Sequence, residues 1–204
     1  MCGRFVRHSD LRLIEKTFNI DSVDAGVEDT AGYNIAPTQK VLAVVGDTGN
    51  RRLTQLYWGL VPFWAKERSI GQRMINARLE TVAEKPGFKQ AFRRRRCLIV
   101  ADGFYEWQGE KGQKRPWLLS PTQGGPFGFA GLWETWRDAD EKIYPSCTII
   151  TTAAGASIRD IHHRMPVILN FQAHPIWLDP KNQDATALKT LLLDQHVTEL
   201  QRVA

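Results

Sequence analysis

The chain has 204 residues, 43% of them hydrophobic, with seven Trp and nine Phe, enough apolar material for one large domain with its own core. Its 27 Lys and Arg against 22 Asp and Glu leave a formal charge of +5, a moderately basic balance that suits a polyanionic partner without requiring one. No apolar run reaches bilayer length, no charged-then-apolar leader opens the chain, and Cys2, Cys97 and Cys147 lack CxxC spacing. These features argue against a membrane span, a disulfide framework and a cysteine-rich zinc site, and the expectation is a soluble cytoplasmic monomer with neither metal nor cofactor.

In chain order, a short N-terminal strand leads to a helix, because Leu11, Ile14 and Phe18 recur at helical spacing behind the capping candidates Ser9 and Asp10. A turn-rich stretch runs from Asp21 to Pro37. Strands are predicted over 40–45, 53–58, 96–101, 117–120, 127–133, 147–152 and 167–169, each β-branched or aromatic and bounded by Gly, Pro or Asp. Helical patterns cover roughly 84–93, 171–178 and 185–194, with a short turn at 156–161. Segments 108–115 and 138–142 read as exposed hairpin loops. Strands dominate the middle without βαβ alternation, which predicts an α+β fold, one domain over 1–204 with a curled, mostly antiparallel sheet or barrel core and peripheral helices. The run Arg93 to Arg96 reads as a solvated helix end and strand start.

Four segments are odd for a core. The chain opens Met-Cys-Gly-Arg-Phe, so loss of one methionine would leave Cys2 with an amine and a thiol on adjacent carbons. An α-amine titrates near ~7.7–8.0 and is therefore a usable nucleophile at neutral pH, and an imine it formed with an aldehyde could be captured by the adjacent thiol as a five-membered thiazolidine. Cys2 could equally be a start-proximal residue without a role. In Ile75–Glu80, alternation would put Asn76, Arg78 and Glu80 on one strand face, as a polar site or a salt-bridged surface. Glu106 stands between Tyr105 and Trp107, either as a carboxyl raised toward general-acid range or as an exposed side chain on an edge strand. His162 and His163 are adjacent, which suits a proton shuttle or a structural histidine better than a metal site.

Taken in order, MCGRF, YNIAP (33–37), WGLVPFW (58–64), INARLET (75–81), DGFYEW (102–107) and IHHRMPVIL (161–169) closely resemble the SOS response-associated peptidase (SRAP) family, whose members shield abasic sites in single-stranded DNA. The resemblance spans residues 1 to about 169. It implies the SRAP fold, Cys2 as the N-terminal nucleophile, Asn76 and Glu106 as active-site partners and His162, rather than His163, as the catalytic histidine. It also implies a single-stranded DNA surface including Arg4, Asn34, Pro37, Trp64, Arg78, Trp107, Thr151, Arg164 and Met165. A lyase-like crosslink to abasic sites and a cysteine-type removal of residues before Cys2 are the implied activities. Met1 must go for the covalent chemistry, and the C-terminus is expected to be short of a segment that family members carry. Two rivals remain: an N-terminal-nucleophile amidohydrolase of the glutamine amidotransferase type, which also starts Met-Cys-Gly, and a non-enzymatic single-stranded DNA-binding module.

Overall fold

The computed structural model describes residues 2–29, 31–47, 49–110 and 112–203. In chain order its strands are Phe5–Arg7 (β1), Ser22–Val23 (β2), Gly32–Ile35 (β3), Lys40–Asp47 (β4), Asn50–Trp58 (β5), Asn76–Arg78 (β6) and Arg96–Ala101 (β7). Then come Gly103–Gln108 (β8), Arg115–Pro121 (β9), Phe127–Arg137 (β10), Ile143–Ala153 (β11), Arg164–Pro166 (β12), Ile168–Leu169 (β13) and Leu200–Val203 (β14). The α-helices are Leu11–Phe18 (α1), Lys89–Arg94 (α2), His174–Leu178 (α3) and Ala185–Asp194 (α4).

Five strands close into a barrel in the order β5-β4-β7-β10-β11, and the ring shuts because β11 runs parallel to β5, Ser146 opposite Tyr57 and Cys147 opposite Trp58. Period-2 alternation explains why every strand residue of β7 is buried. Cys97, Ile99 and Ala101 face the barrel interior with Val41, Phe129 and Ile149, whereas Leu98 and Val100 face outward. The outward face is covered by Ile14 and Phe18 of α1, Phe92 of α2, Trp177 of α3 and Leu188 of α4. A second sheet, ordered β14-β9-β8-β1-β3, lends Phe5, Phe104 and Leu119 to the interior cluster. Phe5 packs against Trp58 and Phe129, with ring centroids 5.2 and 5.8 Å away, so β1 plugs the barrel. The architecture is the expected α+β fold with a barrel core.

Local chemistry sets most helix ends. The Asp10 carboxylate caps α1 through Leu13 N at 2.8 Å, and Asp184 caps α4 through Thr186 N and Ala187 N. The helix expected over 84–93 shrinks to α2, because Pro86 and Gly87 break the helical pattern into turns. The strand expected over 167–169 is split: Val167 donates to Ile150 O and accepts from Ala130 N, bridging β10 and β11 where β12 leaves one and β13 joins the other. Strands β2, β3, β8, β12 and β14 were not among the predicted ones, and β2 and β3 fall in the stretch expected to be turns, where β5 and β1 pair with them. β8 is mainly aromatic and polar, and it is held as a strand by β1 on one side and β9 on the other.

The arginine run does not behave as one solvated patch. Arg93 and Arg94 are exposed, Arg95 pairs with Glu134 at 2.6 Å, and Arg96 is buried. The Arg96 guanidinium donates to the carbonyls of Trp177 (2.6 Å), Phe92 (3.0 Å), Arg93 (2.5 Å) and Asp179, and lies over the Trp177 ring. Burial lowers its pKa to about 10, still charged at neutral pH. Arg96→Met strips a charged donor from these carbonyls and is expected to cost about 3–5 kcal/mol in urea unfolding, the range for breaking a buried charged network.

Candidate active site

Cys2 precedes β1 and is fully buried, beside β8, the neighbour of β1. The pairing of Phe5 with Phe104 and the bond from Tyr105 N to Arg4 O align the start of the chain with the Tyr105–Trp107 segment. Asp102 pins the far end of β1, its carboxylate accepting from His8 N (2.6 Å), Ser9 N (2.9 Å) and Ser9 Oγ (2.5 Å). Glu106 is 2% exposed and lies on a strand paired on both sides, so the exposed-edge reading of this residue is excluded. Burial raises its carboxyl to about 7, against the pull of Lys114. Burial also pushes the Cys2 thiol well above its ordinary value, and the Glu106 charge adds to the rise. The thiol is therefore neutral at rest, next to a carboxyl poised between its two protonation states.

Asn76 reaches this pair from β6. Trp58 Nε1 donates to Ile75 O at 2.9 Å, and β6 lies parallel to β11 with Asn76 opposite Ile149. Asn76 Nδ2 then donates to Cys2 O at 2.9 Å, while no described residue donates to its buried Oδ1. Thus Asn76 orients the residue that carries the thiol and keeps an acceptor for another group.

His162 lies in the turn after β11, half-buried, its Nδ1 2.9 Å from Arg164 N and 3.0 Å from Arg164 O, its ring stacked on His163. Burial lowers its pKa, so it is neutral at neutral pH. The turn is held from two sides. Gln108 Nε2 donates to Asp160 O at 3.0 Å, Arg202 of β14 grips the Asp160 carboxylate at 2.8 and 3.0 Å, and Ser157 Oγ donates to Thr198 O at 2.6 Å. Because the Arg202 pair is exposed, Arg202→Gln should slow any His162-dependent step only about two- to fivefold, with faster hydrogen exchange at the 156–163 amides as the accompanying readout.

The residues assigned to DNA divide into two groups. Trp64 (51% exposed), Arg78 and Asn76 line one groove of about 410 Å3 together with Arg73, Lys85 and Phe88. Asn34 lines another of about 450 Å3, and Pro37 lies next to it, half-buried. Arg4 donates to Gly3 O at 2.7 Å, and Trp107 is half-buried near Tyr105. By contrast, Thr151 and Met165 are buried, and Met165 Sδ accepts from Gly155 N. Arg164 clamps Glu80 through two bonds of 2.6 and 3.0 Å and reaches Thr151 O at 2.7 Å. So INARLET supplies both things its alternation allowed, Asn76 and Arg78 to the groove and Glu80 to an ion pair. Arg73, Lys85 and Phe88 escaped sequence reasoning; cations interleaved with aromatics just outside INARLET were the available signal.

Among the described residues no cluster of three or more His, Cys, Asp or Glu side chains could hold a metal ion, and no helix is long and apolar enough to cross a membrane. Met1, whose removal the sequence reading required, lies outside the described residues.

Fold and site together define a class: a small closed barrel whose plugging strand is preceded by a buried cysteine, set against a raised carboxyl and an orienting amide at the edge of a cationic groove. The chain belongs to the SOS response associated peptidase (SRAP) family, which matches it over residues 1–204. It is similar to the abasic site processing protein YoqW of Bacillus subtilis (strain 168), 44% identical over 193 residues, covering 94% of this chain and 86% of that protein. It is also similar to the abasic site processing protein YedK of Escherichia coli (strain K12), 32% identical over 87% of this chain and 79% of the relative. A crystal structure of a protein from Bordetella bronchiseptica superposes with a TM-score of 0.82 at 26% identity, covering 100% of this chain and 99% of the other.

Proposed function

We propose that this chain, once Met1 is removed, binds single-stranded DNA and forms a thiazolidine between Cys2 and the aldehyde of an abasic site, shielding the lesion. One observation carries the reading: Cys2, Glu106 and Asn76 converge beside a groove lined by Arg73, Arg78 and Lys85. The names of YoqW and YedK as abasic site processing proteins support it.

The chemistry follows from the protonation states. Only the open form of an abasic sugar presents an aldehyde, and in this reading protonated Glu106 donates to the ring oxygen as the hemiacetal opens. The free amine of Cys2 attacks the carbonyl carbon, and the carbinolamine loses water with help from Glu106 and His162 to give an imine. Since the thiol is neutral at rest, it acts second. Its sulfur bonds to the imine carbon while its proton passes, through Glu106, to the nitrogen. Asn76 holds the Cys2 carbonyl and offers Oδ1 to the amine or to a sugar hydroxyl. In the same reading the Cys2 thiol, with Glu106 as base, attacks the amide before Cys2, which would make Met1 removal autoproteolytic.

The test is incubation of the processed chain with an abasic-site oligonucleotide followed by denaturation. A mass adduct on abasic but not intact DNA supports the reading. Glutamine hydrolysis without an adduct would favour the amidohydrolase, and DNA binding with neither would leave a binding module.

A further inference from the structure

The groove beside Asn76 does not end there. It shares Trp64 and Arg73 with a second groove of about 420 Å3, which shares Ser69 and Gln72 with a third of about 520 Å3. The third shares Thr38 and Tyr57 with the groove at Asn34, so the four adjoin in sequence as one band of the surface. Along it, among the described residues, stand Lys40, Lys66, Arg68, Arg73, Arg78 and Lys85 against one carboxylate, Glu67. The band owes its course to a close backbone approach. At Gly59, φ is +131°, and a Cβ there would lie 2.7 Å from Gly71 O, so only glycine lets the Arg68–Arg73 turn press against the end of β5.

Midway along the band lies a stacked column of four side chains. Tyr57 and Tyr144 stack with ring centroids 4.2 Å apart and planes 12° from parallel. Lys40 Nζ lies 5.8 Å from the centre of the Tyr57 ring, and Arg68 Cζ lies 4.8 Å from the centre of the Tyr144 ring. Both cations are exposed, and among the described residues neither makes an ion pair. Cation–π contact orders these long side chains without neutralising them, so they meet an anion with less entropy left to lose.

We propose that Lys40 and Arg68, held by the Tyr57–Tyr144 pair, bind phosphates of the same DNA strand outside the abasic nucleotide. The band then acts as a second, non-covalent site that retains the strand. This rests on the single-stranded DNA reading of the active site. The charge points to a polyanion, and adjacency to the Asn76 groove makes a strand bound in that groove the occupant.

The experiment compares wild type with a Lys40→Gln/Arg68→Gln variant on two substrates. One is a trinucleotide with a central abasic residue. The other is a single strand of about 20 nucleotides, long enough to run along a multi-groove site. The variant should crosslink the trinucleotide at the wild-type rate but bind the long strand on the order of tenfold more weakly at low salt. The slope of log K against log salt should fall by about 1.4, two phosphate contacts' worth. A variant with unchanged long-strand affinity and slope overturns the proposal, whatever the adduct chemistry does. A wild type that forms no adduct while the variant still loses slope overturns the abasic-site reading and supports the band.

Discussion

Cys2→Ala is expected to abolish the adduct that survives denaturation, by at least about a hundredfold, while leaving DNA binding and folding intact. Alanine keeps the α-amine once Met1 is removed, so the first step, imine formation, remains open. What it lacks is the thiol that closes the ring. Imines hydrolyse, and the product should therefore vanish on denaturation yet become permanent when borohydride is present during the reaction. The wild-type adduct, already saturated at that carbon, should be indifferent to borohydride. A stable adduct from Cys2→Ala without reductant would sink the thiazolidine, and the absence of any borohydride-trapped product would sink the amine as first nucleophile. The substitution removes only a buried sulfur, so the stability change should stay near about 1 kcal/mol.

The second large effect concerns Glu106. Glu106→Gln preserves shape and burial but can neither give nor take a proton, and the crosslinking rate should fall about 10²- to 10³-fold. In wild type the free amine gains with rising pH up to about 8, while the Glu106 acid is lost above about 7, so the rate should peak between them. In the glutamine variant the falling limb should disappear. Stability should move the other way. The folded carboxyl holds its proton up to about pH 7, and the unfolded one releases it near the ordinary 4.5. Between those values the native state binds more protons, so wild-type stability should decline as pH rises through that window, by on the order of 3 kcal/mol. Glu106→Gln carries no such charge. It should match wild type near pH 4 and exceed it at pH 8 in urea unfolding, and equal pH dependence of the two proteins would contradict the raised carboxyl. A residue that weakens the fold where the protein would work is best understood as kept for its chemistry.

Much of the fold was legible because its determinants are local. The capped helix α1, the whole of α4 and strand β7 follow from spacing, an Asp at each helix N-cap and a β-branched run. The hairpin loops before β9 and β11 follow from turn residues. Barrel closure was not legible, because it depends on β11 lying parallel to β5, a contact between segments some ninety residues apart (Ser146 and Tyr57) that no pattern within either strand specifies. β14 was missed for the same reason, since among the described residues it pairs with β9 alone.

The candidate site divides along the same line. Six ordered motifs placed the chain in its family and named Cys2, Asn76, Glu106 and His162. They did not say that Arg96 would be a buried pin, that Arg164 would spend its charge on Glu80, or that Arg73 and Lys85 would join Arg78 in one groove. By itself the sequence determined which residue types stand at which strand and helix positions, and hence the family and the candidate site residues. Only the tertiary structure decided their protonation. Burying Glu106 between β1 and β9 and sealing Cys2 beside it is the work of residues distant in the chain, and desolvation, which moves both groups, is a property of the assembled surroundings rather than of any motif.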